Sequence, residues 1–201
     1  MTITIVVALV LFLGFIIFRF GRQKKNNDNE GTLYIREDRG EEFEAHVDCK
    51  LDNFESVGGK LLKGTISRTG EVLILKSGIY VVDYRAYKGQ ISGSDTDDIW
   101  TAFYQGGRPR DSETQFYNPV KQNQKNIKHI SSLLPGLKAP VYNIIVFSNE
   151  CSLKNVSSTS DAYIIKEGIL IETIIKLDHA FGSVLSAEQV ENIYRTLDEA
   201  K

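Results

Sequence analysis

The chain has 201 residues, 42% hydrophobic and 25% charged, which suits one globular domain plus an appendage and excludes a disordered polymer. Its 24 basic and 26 acidic residues give a formal net charge of -2. Arg19, Arg22, Lys24 and Lys25 precede every acid, so residues 26–201 hold 20 bases against 26 acids; this is no basic nucleic-acid coat protein, and contact with a polyanion has to be local.

Residues 1–18, MTITIVVALVLFLGFIIF, carry no charge and are about long enough to cross a bilayer core. The segment has no basic residue ahead of its apolar run and no small-x-small cleavage site, which favours an uncleaved anchor over residues 1–19 rather than a signal peptide. The basic residues all follow the run, so the positive-inside rule predicts a single-pass protein with its N-terminus outside and its C-terminal domain in the cytoplasm. Residues 20–32 form a polar, Asn-rich juxtamembrane linker, and residues 33–201 form the folded domain.

Phe43, Val47, Leu51 and Phe54 recur at helical spacing, predicting a first amphipathic helix over Glu41–Asn53. The stretch from Gly59 to Ser94 is rich in β-branched and aromatic residues and punctuated by glycines; it reads as three or four strands, followed by another around Trp100. Asn118 as a cap, Pro119 at the first helical position, and Val120, Ile127, Ile130 and Leu134 in phase predict a second helix. VYNIIVFSN is an apolar run of strand length, as a central strand covered on both faces requires. AYIIKEGILIETI is compatible with a short strand and a turn, and Ser186 with Gln189 forms a capping box ahead of a C-terminal helix carrying Val190, Ile193 and Leu197 on one stripe. The expected fold is α/β: a mixed central sheet of about five or six strands flanked by three helices.

Cys49 and Cys151 have no metal-ligand spacing and fit a reducing compartment, so no disulfide partner is expected. His46, His129 and His179 show no zinc pattern. No G-x-S-x-G elbow is present. QGGRPR, residues 105–110, reads as a hairpin tip with solvated arginines, and YKGQISGSDTDD lacks the glycine and terminal glutamate of an EF-hand.

The stretch GIYVVDYR, Gly78–Arg85, ends an apolar strand with Asp83 and Arg85 on one face. If Lys76-Ser77-Gly78 is a three-residue loop and Leu75 pairs with Ile79, Glu71 stands opposite Asp83, an unfavourable like-charge pair. Arg85, diagonal to Glu71, or a divalent cation bridging the two acids would remove that penalty. A structural charge cluster and an oxygen-ligand metal site both remain open on spacing alone.

GIYVVDYR, then YKGQISGS, a tryptophan, NPVKQNQKNIKHI and VYNIIVFSNEC together resemble the nuclease-related domain, NERD, of the PD-(D/E)xK nuclease superfamily, over about Arg39 to Leu197. The resemblance implies a nuclease-like fold and a Mg²⁺-dependent phosphodiesterase site acting on nucleic acid. It maps Glu44, with Glu41 second, onto the acid of the family's first helix, Glu71 near its aspartate, Asp83 onto its glutamate, Arg85 onto its lysine, and Gln122 onto the glutamine after Asn-Pro. Glu71 and Asp83 would be the metal ligands. Three positions keep their charge sign but change identity. Arg85 can clamp a phosphate but cannot lose a proton, so no general base is available there and water activation would fall to the metal. The alternative implied by these departures is a non-catalytic binding or scaffold module at the cytoplasmic membrane face.

Overall fold

The computed structural model describes residues 50–64, 70–104 and 113–200. The expected anchor, the linker, most of the first helix with Glu41 and Glu44, Cys49 and the QGGRPR turn lie outside the described residues. Among the described residues no helix is long and apolar enough to cross a membrane.

The first helix closes at Lys50–Leu51 and tightens into a 3-10 turn, Asp52–Val57, capped by a left-handed Gly58. The strands are β1 (Lys60–Leu62), β2 (Gly70–Leu75), β3 (Gly78–Arg85), β4 (Gly89–Ser94), β5 (Ile99–Phe103) and β6 (Glu113–Tyr117), then, after helix α1 (Pro119–Leu133), β7 (Val141–Phe147), β8 (Cys151–Ser157) and β9 (Tyr163–Lys166). Helices α2 (Leu170–Phe181) and α3 (Ala187–Asp198) complete the chain.

Instead of one sheet there are two, both mixed. The five-stranded sheet runs β1-β2-β3-β7-β9 and the four-stranded sheet β6-β5-β4-β8. β3, β7 and β9 are parallel, and β7 is the buried central strand expected from VYNIIVF. The chain leaves the first sheet at the end of β3 and enters the second at Gly89, and it changes sheets again between β7 and β8. These two crossings bring the carboxyl ends of β3 and β7 to the junction.

Three apolar clusters fix the layers. Val72, Ile74, Ile79 and Val81 on one face of the five-stranded sheet pack with Ile130 of α1 and Val190, Ile193 and Leu197 of α3. Leu73, Leu75, Tyr80 and Val82 on the other face pack with Leu51, Phe54 and, from α2, Leu170, Ile174 and Leu177. Ile91, Trp100, Ala102 and Phe116 of the second sheet close on Val120, Ile145 and Phe147.

The short strand and turn expected in AYIIKEGILIETI are β9 and the 3-10 turn Glu167–Ile169, but the stretch from Leu170 on is helix α2, which the sequence reading did not expect and which is discussed below. α1 and α3 start where expected: Asn118 Oδ1 accepts from the N–H groups of Val120 and Lys121, and Ser186 with Gln189 forms the reciprocal box. The β2–β3 connection is shorter than expected. Leu75 pairs with Gly78 across a two-residue turn, Lys76-Ser77. Gly78 lies inside the strand, at φ +148°, because a Cβ there would sit 2.5 Å from the carbonyl oxygen of Pro140, which accepts from the N–H of Ile79 at 2.9 Å.

Candidate functional site

The shorter turn changes what faces what. Glu71 pairs with Val82, and Asp83 pairs with Gly70. Side chains alternate along a strand, so a one-residue slip moves Glu71 to the other face of the sheet, beside Leu73 and Val82, where its Oε1 accepts from the N–H of Gly64 at 3.3 Å. The expected Glu71–Asp83 carboxylate pair is therefore absent. Gly70 cannot stand in for it, since a Cβ there would lie 2.1 Å from the carbonyl oxygen of Val82.

Three expected site residues do converge. Asp83 and Arg85, two apart on β3, point to the face covered by α1, and both are buried, at 1% and 9% exposure. The Arg85 Nε and Nη2 groups donate to Asp83 Oδ2 at 3.0 and 2.6 Å, and Nη2 also donates to Gln122 Oε1 at 2.7 Å. Gln122 reaches this point because Asn118 fixes the start of α1. The Asn118 Nδ2 group donates to the carbonyls of Ser94, Asp95 and Asp97 at 3.1, 3.0 and 2.6 Å while Oδ1 caps the helix. One side chain thus ties the β4–β5 loop to the helix that supplies Gln122.

A buried layer that sequence reasoning missed begins at the next residue of α1 after Gln122. Asn123 Nδ2 donates to the carbonyl of Val81 at 2.8 Å and to Asn143 Oδ1 at 2.9 Å, and Asn143 Nδ2 donates to the carbonyl of Val120 at 3.4 Å. The signal was available: an asparagine inside the apolar run VYNIIVF needs a partner across the layer.

Among the described residues, two titratable groups near this cluster are held in their neutral forms. Burial pushes the Tyr87 phenol up to about 12, with Arg85 opposing part of the rise; its ring stacks on Phe116 at 4.1 Å. Burial likewise pushes the Cys151 thiol up to about 11, so no thiolate forms near neutrality. Asp95 is an anchor. Burial opposes its charge, but donors from Thr159, Ser160 and Ser158 outweigh that cost and hold its carboxyl well below the usual carboxylate range.

Among the described residues the donor set does not fit a divalent cation of the expected kind. Mg²⁺ requires several oxygen ligands in near-octahedral geometry at about 2.0–2.1 Å. Around Asp83 the opposing position carries no side chain, and the carboxylate oxygen Oδ2 already receives two guanidinium hydrogen bonds. Among the described residues no group of three or more His, Cys, Asp or Glu side chains is arranged to hold a metal ion. The arrangement neutralises a buried carboxylate with a protein cation and locks β3 to α1.

The sequence profile described as nuclease-related domain, NERD, matches residues 39–148, more than half of the chain. The chain belongs to the nuclease-related domain family. An uncharacterised Bacillus anthracis protein, pXO1-01, is 30% identical over 135 residues, which is 67% of this chain and 59% of that protein. This chain thus spans less than two thirds of its relative. No solved structure matches it.

Much of the NERD pattern here has a packing explanation. In the Gly-x-Ile-x-Gly element, Ile91 is fully buried, and a Cβ on Gly93 would lie 2.4 Å from the indole of Trp100, so the second glycine is the floor on which the tryptophan lies. Trp100 in turn stacks on Phe147 at the end of β7 and donates from Nε1 to the carbonyl of Ser94 at 2.8 Å. The Asn-Pro element is the loop-to-helix tie already described. These residues assemble the junction between the sheets.

Proposed function

We propose that this NERD protein is a non-hydrolytic binding or scaffold module, tethered to a membrane by residues 1–19 with the domain on the cytoplasmic side. The tether rests on the uncharged run 1–18 and the bases that follow it. The non-hydrolytic reading is carried by one observation: the strand position facing Asp83 is a glycine with no room for a side chain, and the acid's charge is already met by Arg85.

A nuclease of this superfamily needs charge stabilisation and an activated water at the scissile phosphate, which a metal held by facing acids supplies. Arg85 offers positive charge without the means to generate hydroxide, because its guanidinium stays protonated at working pH. Any nucleic acid recognised by such a module meets protein cations alone, so its affinity falls steeply with salt and is indifferent to chelator.

The deciding experiment is plasmid nicking by the full-length protein with Mg²⁺ and then Mn²⁺, with Asp83→Ala alongside. The reading expects no cleavage from well-folded protein under either metal. Cleavage that disappears in Asp83→Ala would overturn it and assign a working metal site to Asp83, with Glu44 the next residue to change.

A further inference from the structure

Among the described residues the two sheets have four edge strands, and three of them are blunted in ways that discourage pairing with another chain. β1 is three residues long, and its Lys60 is paired with Glu191 of α3 at 2.9 Å. β8 carries an exposed Lys154 and slips register against β4 between Gln90 and Ser92. β9 is four residues long and ends in Lys166, whose ammonium donates to the carbonyl of Asn149 at 3.0 Å.

β6 has none of these devices. Its sequence, Glu113-Thr114-Gln115-Phe116-Tyr117, holds no lysine, arginine, proline or glycine, and it pairs with β5 over five consecutive residues without a bulge. No strand among the described residues lies on its other side. Glu113, Gln115 and Tyr117 alternate onto the outer face of the sheet, where Tyr117, 58% exposed, pairs with Ile99, 39% exposed, and Phe103 is 42% exposed. Among the described residues an apolar strip therefore borders a row of backbone donors and acceptors that no strand covers.

We propose that β6 pairs antiparallel with β6 of a second copy, joining the two four-stranded sheets across a two-fold axis at Gln115. The strand is self-complementary in the register of full overlap: Gln115 meets Gln115 of the second copy, Thr114 meets Phe116, and Glu113 meets Tyr117. The single charge of the strand thus never faces its own kind, which is the condition an isologous strand pair has to satisfy. Tyr117 covers the methylenes of the opposing Glu113 and brings its hydroxyl toward the carboxylate, and because Phe103 stands beside Glu113 on β5, each Ile99–Tyr117 pair is continued across the seam by Glu113 and Phe103 of the other copy. A strand of a different protein would satisfy the backbone equally well, but only a second copy accounts for this match of β6 with itself.

The two-fold axis makes the test sharp, because any charge placed at Gln115 faces itself. The full-length protein in mild detergent is examined by sedimentation velocity over a hundredfold range of concentration, with Gln115→Lys, Gln115→Glu and an equal mixture of the two. Gln115 is exposed, so both variants are expected to melt with the wild type. The pairing predicts a concentration-dependent dimer for the wild type, at least a tenfold weaker dimer for each variant alone, and recovery in the mixture through Lys–Glu pairs at the axis. A wild type that stays monomeric throughout, a Gln115→Lys protein that dimerises like the wild type, or a mixture no tighter than either variant overturns it. None of these readouts depends on nuclease activity, so the result stands apart from the non-hydrolytic reading.

Discussion

At the level of single residues the decisive pair is Asp83 and Arg85. A buried ion pair is weak evidence for stability as a whole, since desolvation consumes most of the attraction, yet removing one partner strands the other. Arg85→Ala is therefore expected to cost about 3–5 kcal/mol in denaturant unfolding, because Asp83 is 1% exposed and loses the guanidinium donors to Oδ2. The double replacement Asp83→Leu with Arg85→Leu is expected to cost less than Arg85→Ala alone. Equal and additive losses would sink the lock and point to a site held by other groups. That Asp83 and Arg85 share a face was legible in strand alternation, whereas Gln122 was named only through the resemblance to the family's glutamine after Asn-Pro. What misled was the neighbouring loop, where Lys76-Ser77-Gly78 supports either a two- or a three-residue turn. Its length sets the face of every β2 side chain, and the deciding contact, Pro140 against Gly78, lies more than sixty residues away in the chain.

At the level of elements, legibility follows capping. α1 and α3 carry strong start signals in Asn118-Pro119 and Ser186-x-x-Gln189, and both helices begin there. α2 begins after Ile169 with no side-chain cap, in a run of isoleucines whose local preference is for strand. Its true period, Leu170, Ile174 and Leu177, emerges only because those residues meet one face of the five-stranded sheet. The split into two sheets had no local signature at all, since it depends on β7 joining β3 while β8 joins β4. What holds that junction is Asn118, and its two ends can be separated experimentally. Asn118→Ala loses the cap, worth about 0.5–2 kcal/mol, together with the donor to three carbonyls. Asn118→Asp restores the cap acceptor but aims a carboxylate at those carbonyls. We expect Asn118→Asp to melt no higher than Asn118→Ala; a clearly more stable Asn118→Asp would show that capping alone matters. The 158–160 loop is tied in the same way by Asp95. Its folded pKa is depressed, so the stability it contributes is present above the ordinary carboxylate range and is lost as pH falls below it. The difference in stability between wild type and Asp95→Asn should therefore be largest near neutrality and shrink as the solution is acidified below about pH 4. A difference independent of pH would mean that the Thr159 and Ser160 donors do not depend on the charge.

For the molecule as a whole, the family and the site point in different directions, and metal linkage is where they part. Membership of the nuclease-related family rests on the match over residues 39–148, and within that range Gly93 beneath Trp100, Asn118 across the β4–β5 loop, and β7 beside β3 build the junction between the sheets. A fold can keep such a scaffold after its chemistry has changed, because packing and catalysis load different residues. If a divalent cation held by Asp83 were part of the native state, saturating it would stabilise that state alone. At a hundred times its Kd it would add about 2.7 kcal/mol and, at about 2–4 °C per kcal/mol for a chain of this size, raise Tm by about 5–11 °C. With Arg85 supplying the cation internally, neither Mg²⁺ nor EDTA should move the melting temperature of the full-length protein, and Asp83→Ala should lower it equally in both. A Mg²⁺-dependent rise of several degrees that vanishes in Asp83→Ala would show that the guanidinium yields to a metal in solution, and the non-hydrolytic reading would fall with it. A rise that persists in Asp83→Ala would place the cation elsewhere and leave the Arg85 lock untouched.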